Sequence, residues 1–134
     1  MKAEVRYFTR SGNTKLLAEA IADAVDAKAK SVETDLTEHV DVLFLGSSLY
    51  AGTYDAAIGD FVRRNADKIG LLVNFGSSAS GKSTYKKIRM LAESYGIKVC
   101  SKEFVCPGHF LFLHKDRPNA EDRENIAAFA KSVL

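Results

Sequence analysis

Apolar positions along the chain fall into short runs, separated by stretches in which they recur every three or four residues. The runs read as strands: "AEVRYF" from residue 3, "KSVET" from 30, "VDVLFLG" from 40, "IGLLVNF" from 69 and "IKVCSKEFV" from 97. The third and fourth are apolar on both alternations, as strands covered on both faces must be. The stretches between them read as helices. Leu17, Ile21, Ala24 and Val25 make one apolar face after the first strand, Ile58, Phe61 and Val62 after the third, and Tyr85, Ile88, Leu91 and Tyr95 after the fourth. Ser11 or Asn13 is placed to cap the first of these helices, and Gly96 to end the third. Pro118 and Asn119 open a last helix with Asp122 at its third position and Ile126, Phe129, Ala130 and Val133 facing inward. Strands and helices in alternation predict an α/β chain built on a parallel sheet. One connection is short: only about six residues, "DLTEHV" with its Val40 already the first of the third strand, lead from the second strand to the third, where a helical crossover takes about a dozen. The helix there must be missing or reduced to a turn.

Composition narrows the class. A chain of 134 residues, 46% apolar and 27% charged with two prolines, fits one compact domain over residues 1–134, without linker, repeat or low-complexity tract. No apolar run approaches the roughly 20 residues that span a bilayer, and the first strand begins without a signal-peptide core, so the expected location is cytoplasmic. A net charge of +2 with scattered basic residues argues against nucleic acid. Cys100 and Cys106 match neither a zinc nor a thioredoxin-type spacing and read as buried free thiols. His39, His109 and His114 are too dispersed for a metal site and read as surface or loop residues.

Ligands of open parallel sheets lie beyond the carboxyl ends of the strands, which directs attention to the loops after strands one, three and four. The first loop, Thr9, Arg10, Ser11, Gly12, Asn13 and Thr14, precedes a helix N-terminus. Free amides, the helix dipole and small hydroxyls there suit a phosphate, against the plainer reading of a hydroxyl-rich cap. A second phosphate-like signal follows the fourth strand, where "GSSASGKS", residues 76–83, matches G-x-x-x-x-G-K-[ST]. Three features weigh against a nucleoside triphosphate at this motif. The strands "VRYF", "VLFLG" and "KEFV" end in Phe, Gly and Val, giving no carboxylate for magnesium, and Asp41 begins its strand. The first strand already carries a competing phosphate loop, and the chain leaves little room for base recognition. On the plain reading Gly81 eases a turn, Lys82 is solvated and Ser80 or Ser83 caps the next helix.

Three segments carry a family resemblance. "YFTRSGNTKLLAEAIA" resembles the phosphate loop and first helix of the flavodoxin family, "VLFLGSSLYAGTYDAAIGDFV" its third strand and second flavin loop, and "LLVNFGSSAS" its fourth strand and third loop. The resemblance covers nearly the whole chain. It implies a three-layer, doubly wound, five-stranded parallel sheet of order 2-1-3-4-5, with flavin mononucleotide (FMN) held non-covalently. Thr9, Arg10, Ser11, Gly12, Asn13 and Thr14 would then hold the phosphate, and Lys15 would add long-range attraction. Ser48, Leu49, Tyr50, Ala51 and Gly52 would run along the flavin ring, with Tyr50 or Tyr54 stacked on it. Gly76, Ser77, Ser78, Ala79 and Ser80 would meet its polar edge.

The resemblance implies an electron-transfer protein with no catalytic side chain, working with a redox partner protein or a small electron acceptor. The alternatives are an oxidoreductase acting directly on a substrate, similar to protoporphyrinogen oxidases or quinone reductases, and a flavin-free interaction module. Two departures bear on partner choice. The pI is near 8.5, where carriers of the family are strongly acidic, so the partner is expected to be acidic or uncharged. "FVCPGHFLFLHKDRPNAED" has no counterpart in the simplest carriers, and its run "HFLFLH" reads as a ring-edge cover or a partner-facing apolar patch. Trp is also absent.

Overall fold

Side chains of two nine-residue strands alternate between two apolar layers, and this two-sided burial puts both strands at the centre of a parallel sheet. The computed structural model describes residues 1–49, 52–78, 82–106 and 117–134. The elements in chain order are β1 (Ala3–Tyr7), α1 (Asn13–Val25), β2 (Ala29–Ser31), β3 (Val40–Ser48), α2 (Ala56–Asn65), β4 (Ile69–Ser77), α3 (Tyr85–Ser94), β5 (Lys98–Val99), β6 (Phe104–Cys106) and α4 (Ala120–Val133). Parallel pairing orders the sheet β2-β1-β3-β4-β5, with β6 also on β4. This is the doubly wound 2-1-3-4-5 sheet. On one face Leu17, Ile21, Ile126 and Ala130 pack on Val5, Val42, Phe44, Val73 and Phe75. On the other, Ile58, Phe61, Val62, Ile88 and Ala92 pack on Leu43, Leu45 and Leu72. Of the predicted helix faces, Leu17, Ile21, Ile58, Phe61, Val62, Ile88, Ile126 and Ala130 are buried and Ala24, Val25, Tyr85, Leu91, Phe129 and Val133 half-buried, whereas Tyr95 is 43% exposed because α3 has ended at Ser94 and Gly96, at φ +75°, turns the chain away.

The fifth strand departs from expectation. It is split in two. Lys98 pairs with Leu71 but Phe104 pairs with Phe75, so the four residues 100–103 stand opposite the two residues 73 and 74. The result is a bulge with two extra residues, anchored where Cys100 N–H donates to Leu72 O at 2.8 Å and Tyr85 Oη–H to Cys100 O at 2.9 Å. Cys100 is only half-buried there, so the reading of buried thiols holds for Cys106 alone. Burial, reinforced by the Asp122 carboxylate, pushes the Cys106 thiol up to about 11.

No helix forms between β2 and β3, and the sheet face it would cover is closed in another way. Val5 faces the α1 layer, so Arg6 points to the opposite side, where it is 2% exposed. Its Nε donates to Thr34 O at 2.8 Å, so the guanidinium satisfies a carbonyl of the connection that a helix would have paired internally, while its Nη1 donates to Val5 O of its own strand at 3.0 Å. Asn65 binds the same connection from α2: its Oδ1 accepts from Leu36 N at 2.9 Å, and its Nδ2 donates to Asp35 Oδ1 at 3.1 Å and Phe61 O at 2.9 Å. Val32 and Leu36 then fill the core in place of the helix.

The start of α4 follows the sequence expectation. Asp122 N–H donates to Asn119 Oδ1 and Asn119 N–H to Asp122 Oδ2, both at 2.9 Å, a complete capping box. Arg117 Nε and Nη2 each donate to the same carboxylate at 2.6 Å.

Asn65→Ala should lower stability by about 1–3 kcal/mol, because it strands the buried Leu36 N–H; urea unfolding with no change in midpoint would contradict this role. The Arg117 hydrogen bonds hold the Asp122 carboxyl below its usual range, with burial opposing. A depressed folded value contributes stability that is complete above the unfolded carboxylate range, near pH ~4, and is lost as pH falls through the folded value. Asp122→Asn should therefore be less stable than the parent at pH 7, and the gap should close below about pH 4; a gap independent of pH is the contrary result.

Candidate functional site

The loops after β1, β3 and β4 leave the carboxyl edge of the sheet together. Gly12, not Ser11 or Asn13, is the N-cap of α1, at φ +92°, a left-handed conformation that only glycine adopts freely. The hydroxyls shape the turn instead: Thr9 Oγ1 accepts from Gly12 N at 2.9 Å and Ser11 Oγ from Asn13 N at 3.5 Å. A glycine cap offers no side-chain oxygen to the first-turn amides, and nothing stands within 4 Å of where its Cβ would lie. The positive end of the helix dipole thus opens onto a hydroxyl-rich loop, the arrangement that receives an anion. Lys15 is exposed in the same turn. Arg10 Nη2 donates to Asp55 Oδ2 at 2.7 Å, while Asp55 Oδ1 accepts from Ala57 N at 3.0 Å and caps α2. The Ala57 amide, aided by Arg10, holds the Asp55 carboxyl below its usual range.

A triangle of buried hydroxyls joins the three loops. Thr14 Oγ1 is hydrogen-bonded to Ser48 Oγ at 2.8 Å and to Ser77 Oγ at 3.1 Å, and Ser48 Oγ to Ser77 Oγ at 3.2 Å. Thr14 comes from the first turn of α1, Ser48 and Ser77 from the last positions of β3 and β4. Gly76 has a structural reason to be glycine: a Cβ there would lie 2.1 Å from Ser47 O on the neighbouring strand.

A second polar cluster lies on the α3 side. Ser47 Oγ is bonded to Thr84 Oγ1 at 3.1 Å, and Asn74 Nδ2 donates to Glu103 Oε1 at 3.2 Å and, at 3.5 Å, to Thr84 Oγ1. Ser83 Oγ–H donates to Glu103 Oε1 at 2.5 Å and accepts from Tyr85 N at 2.9 Å. Asn74, wholly buried, leaves its Oδ1 without a partner among the described residues. The visible sign of this cluster in the sequence was one asparagine inside the apolar run "LLVNF". Glu103 was hidden inside the predicted fifth strand, and only the bulge turns it toward Ser83.

Of the remaining candidates, Ser78 is buried and Leu49 half-buried. Gly52, at φ +80°, has its carbonyl bound by Lys87 Nζ of α3 at 2.5 Å. Tyr54 packs against the α2 and α3 layer, beside Gly59. Tyr50, Ala51, Ala79 and Ser80, with Gly81, His109, His114 and the run "HFLFLH", lie outside the described residues. The lysine-bearing motif does not open a helix with its Lys-Ser pair, because α3 begins at Tyr85 after the N-cap Thr84; Ser83 is not the cap, and its Oγ instead accepts from the Tyr85 amide to close the preceding turn. Among the described residues no group of His, Cys, Asp and Glu side chains could hold a metal ion, and no helix is long and apolar enough to cross a membrane.

Known proteins share both sequence pattern and fold. A protein of Methanocaldococcus jannaschii is 27% identical over 149 aligned positions, covering 100% of this chain and 99% of its own. Among solved structures, a flavodoxin from the domain Archaea superposes with a TM-score of 0.79 at 19% identity, covering 99% of this chain and 96% of that one. The flavodoxin of Fusobacterium nucleatum, in a structure bound to flavin mononucleotide, does so with a TM-score of 0.69 at 15% identity, over 99% and 97% of the two chains. At these identities the structural likeness is one of fold. The flavodoxin-domain family model matches residues 5–102, nearly three quarters of the sequence and the stretch that contains all three loops, and the chain therefore belongs to the flavodoxin family.

Proposed function

We propose that this protein binds one FMN without covalent attachment and transfers electrons, the flavin supplying one- or two-electron chemistry when bound. The observation that carries this reading is the glycine-capped N-terminus of α1, open to an anion and joined by the Thr14, Ser48 and Ser77 hydroxyls to the two other loops. The residues present fit the group. Thr9, Arg10, Ser11, Gly12 and Asn13 are the ligands of its phosphate, and Thr14, whose hydroxyl is engaged in the triangle, contributes its backbone amide. Lys15 adds attraction at longer range.

On this reading Ser48, Leu49, Tyr50, Ala51 and Gly52 would run along the ring, with Tyr50 favoured as the stacking aromatic because Tyr54 packs against the α2 and α3 layer. An aromatic lid that excludes water disfavours added negative charge on the ring and so tunes its potential. Gly76, Ser77, Ser78, Ala79 and Ser80 would meet its polar edge. A net charge of +2 suits a redox partner that is acidic or uncharged, and the free thiols of Cys100 and Cys106 suit the cytoplasm.

Titration of the purified chain with FMN, followed by quenching of flavin fluorescence, should show one site; unchanged fluorescence would sink the reading. Ser11 is exposed, so Ser11→Asp leaves the fold intact and sets a like charge against the phosphate. It should weaken FMN at least about tenfold, or about 1.4 kcal/mol, and an unaltered Kd would place the phosphate elsewhere. Lys82→Ala should leave FMN affinity within about twofold of the parent, whereas a tenfold loss would return the lysine motif to the site.

A further inference from the structure

Charge is divided between the two helical layers. The helices α2 and α3 together carry five basic and two acidic residues, whereas α1 and α4 carry three basic and five acidic ones. The sheet thus separates a layer of net +3 from one of net −2, in a chain whose total is +2. Such a separation orients the molecule in the field of a charged partner: the α2 and α3 layer turns toward an acidic surface and the other layer away from it.

Within the basic layer the cations differ. Arg63, Arg64 and Arg89 pair with Asp60, Asp35 and Glu93, so much of their charge is cancelled locally. Lys86 and Lys87 are exposed and, among the described residues, form no ion pair. Lys87 Nζ donates to Gly52 O at 2.5 Å, which sets this part of α3 against the second loop of the candidate site. Met90 follows the two lysines at spacings of four and three and is 67% exposed, while Ile88 and Ala92 of the same helix are buried. The outward face of α3 therefore presents an apolar side chain bordered by two cations, beside the site. An exposed methionine alone needs no explanation, but an apolar centre with a charged border is the anatomy of a protein contact. A nucleic acid would call for a longer basic stripe with interleaved aromatics.

Resting on the FMN reading above, we propose that the outward face of α3, centred on Lys86, Lys87 and Met90, docks an acidic electron-transfer protein. The lysines steer the encounter and Met90 makes the apolar contact. Each encounter passes one electron between the redox centre of the partner and the bound flavin, and no bond is made or broken.

The probe is a ferredoxin, a small acidic iron–sulfur protein that donates one electron when reduced. Amide signals of the isotope-labelled chain are followed as oxidised ferredoxin is added, with and without FMN, and stopped-flow absorbance gives the second-order rate at which reduced ferredoxin reduces the FMN-loaded chain. Signals of α3 and of Gly52 should move. At an ionic strength of about 0.1 M, where charges more than ~10 Å away are screened, Lys86→Glu should slow reduction at least about threefold, whereas Lys131→Glu, the same charge change on α4, should alter it less than about 1.5-fold. At about 1 M the effect of Lys86→Glu should vanish, while Met90→Ser should stay at least about twofold slower than the parent at both ionic strengths. Equal effects of Lys86→Glu and Lys131→Glu, signal changes confined to the α1 and α4 layer, or no change at all would overturn the proposal. So would a short DNA duplex that the parent binds and Lys86→Glu does not, which would mark a nucleic-acid surface. A parent that binds no FMN overturns the functional reading, and the map made on the flavin-free chain still decides the docking face.

Discussion

The parallel register between β3 and β4 is the constraint on which the rest depends. It runs from Val40 opposite Ile69 to Ser48 opposite Ser77, so the two central strands end at the same level and their last hydroxyls meet. Burial on both faces enforces that register, because a slip of one residue would exchange the side chains of two complete apolar layers. Two loops consequently leave the sheet side by side. The first turn of α1 completes the arrangement through Thr14, whose hydroxyl bonds to both serines. The anion-receiving end of α1 is thus fixed to the other two loops by two neutral hydrogen bonds between buried hydroxyls, and a third joins the two serines.

The rest of the scaffold compensates for economies made elsewhere. Omission of a helix after β2 uncovers backbone carbonyls and part of a sheet face, and a buried arginine, an asparagine and two aliphatic side chains take over its tasks. At the opposite edge, splitting the last strand forfeits pairing with Val73 and Asn74 but delivers a carboxylate to the base of the third loop. Both solutions place a charged group where ordinary packing would put a hydrocarbon, and both satisfy it mainly with dipoles.

How much of this was legible beforehand depends on how local the cause is. The first four strands, the helix faces apart from Tyr95, the capping box at Asn119 and Asp122, the turn at Gly96 and the missing crossover helix follow from spacing over a few residues, and the structure has them. The loop T-R-S-G-N-T was recognisable as a phosphate loop by composition, yet its cap was misassigned: the hydroxyls close the turn on the glycine instead of capping the helix. Arg6, Asn65 and Glu103 were not legible, because their partners lie roughly 30 residues away and depend on how the sheet folds. Asn74 alone was conspicuous, as a polar residue in an apolar strand, though nothing local names its partners.

The central claim is that the α1 terminus and its hydroxyl loop receive the phosphate of a flavin. Parallel titrations of the flavin-free protein with FMN and with riboflavin, which lacks the phosphate, test it most directly. The account predicts that FMN binds at least about 100-fold more tightly, a difference of about 2.7 kcal/mol. Equal affinity for the two flavins would contradict it.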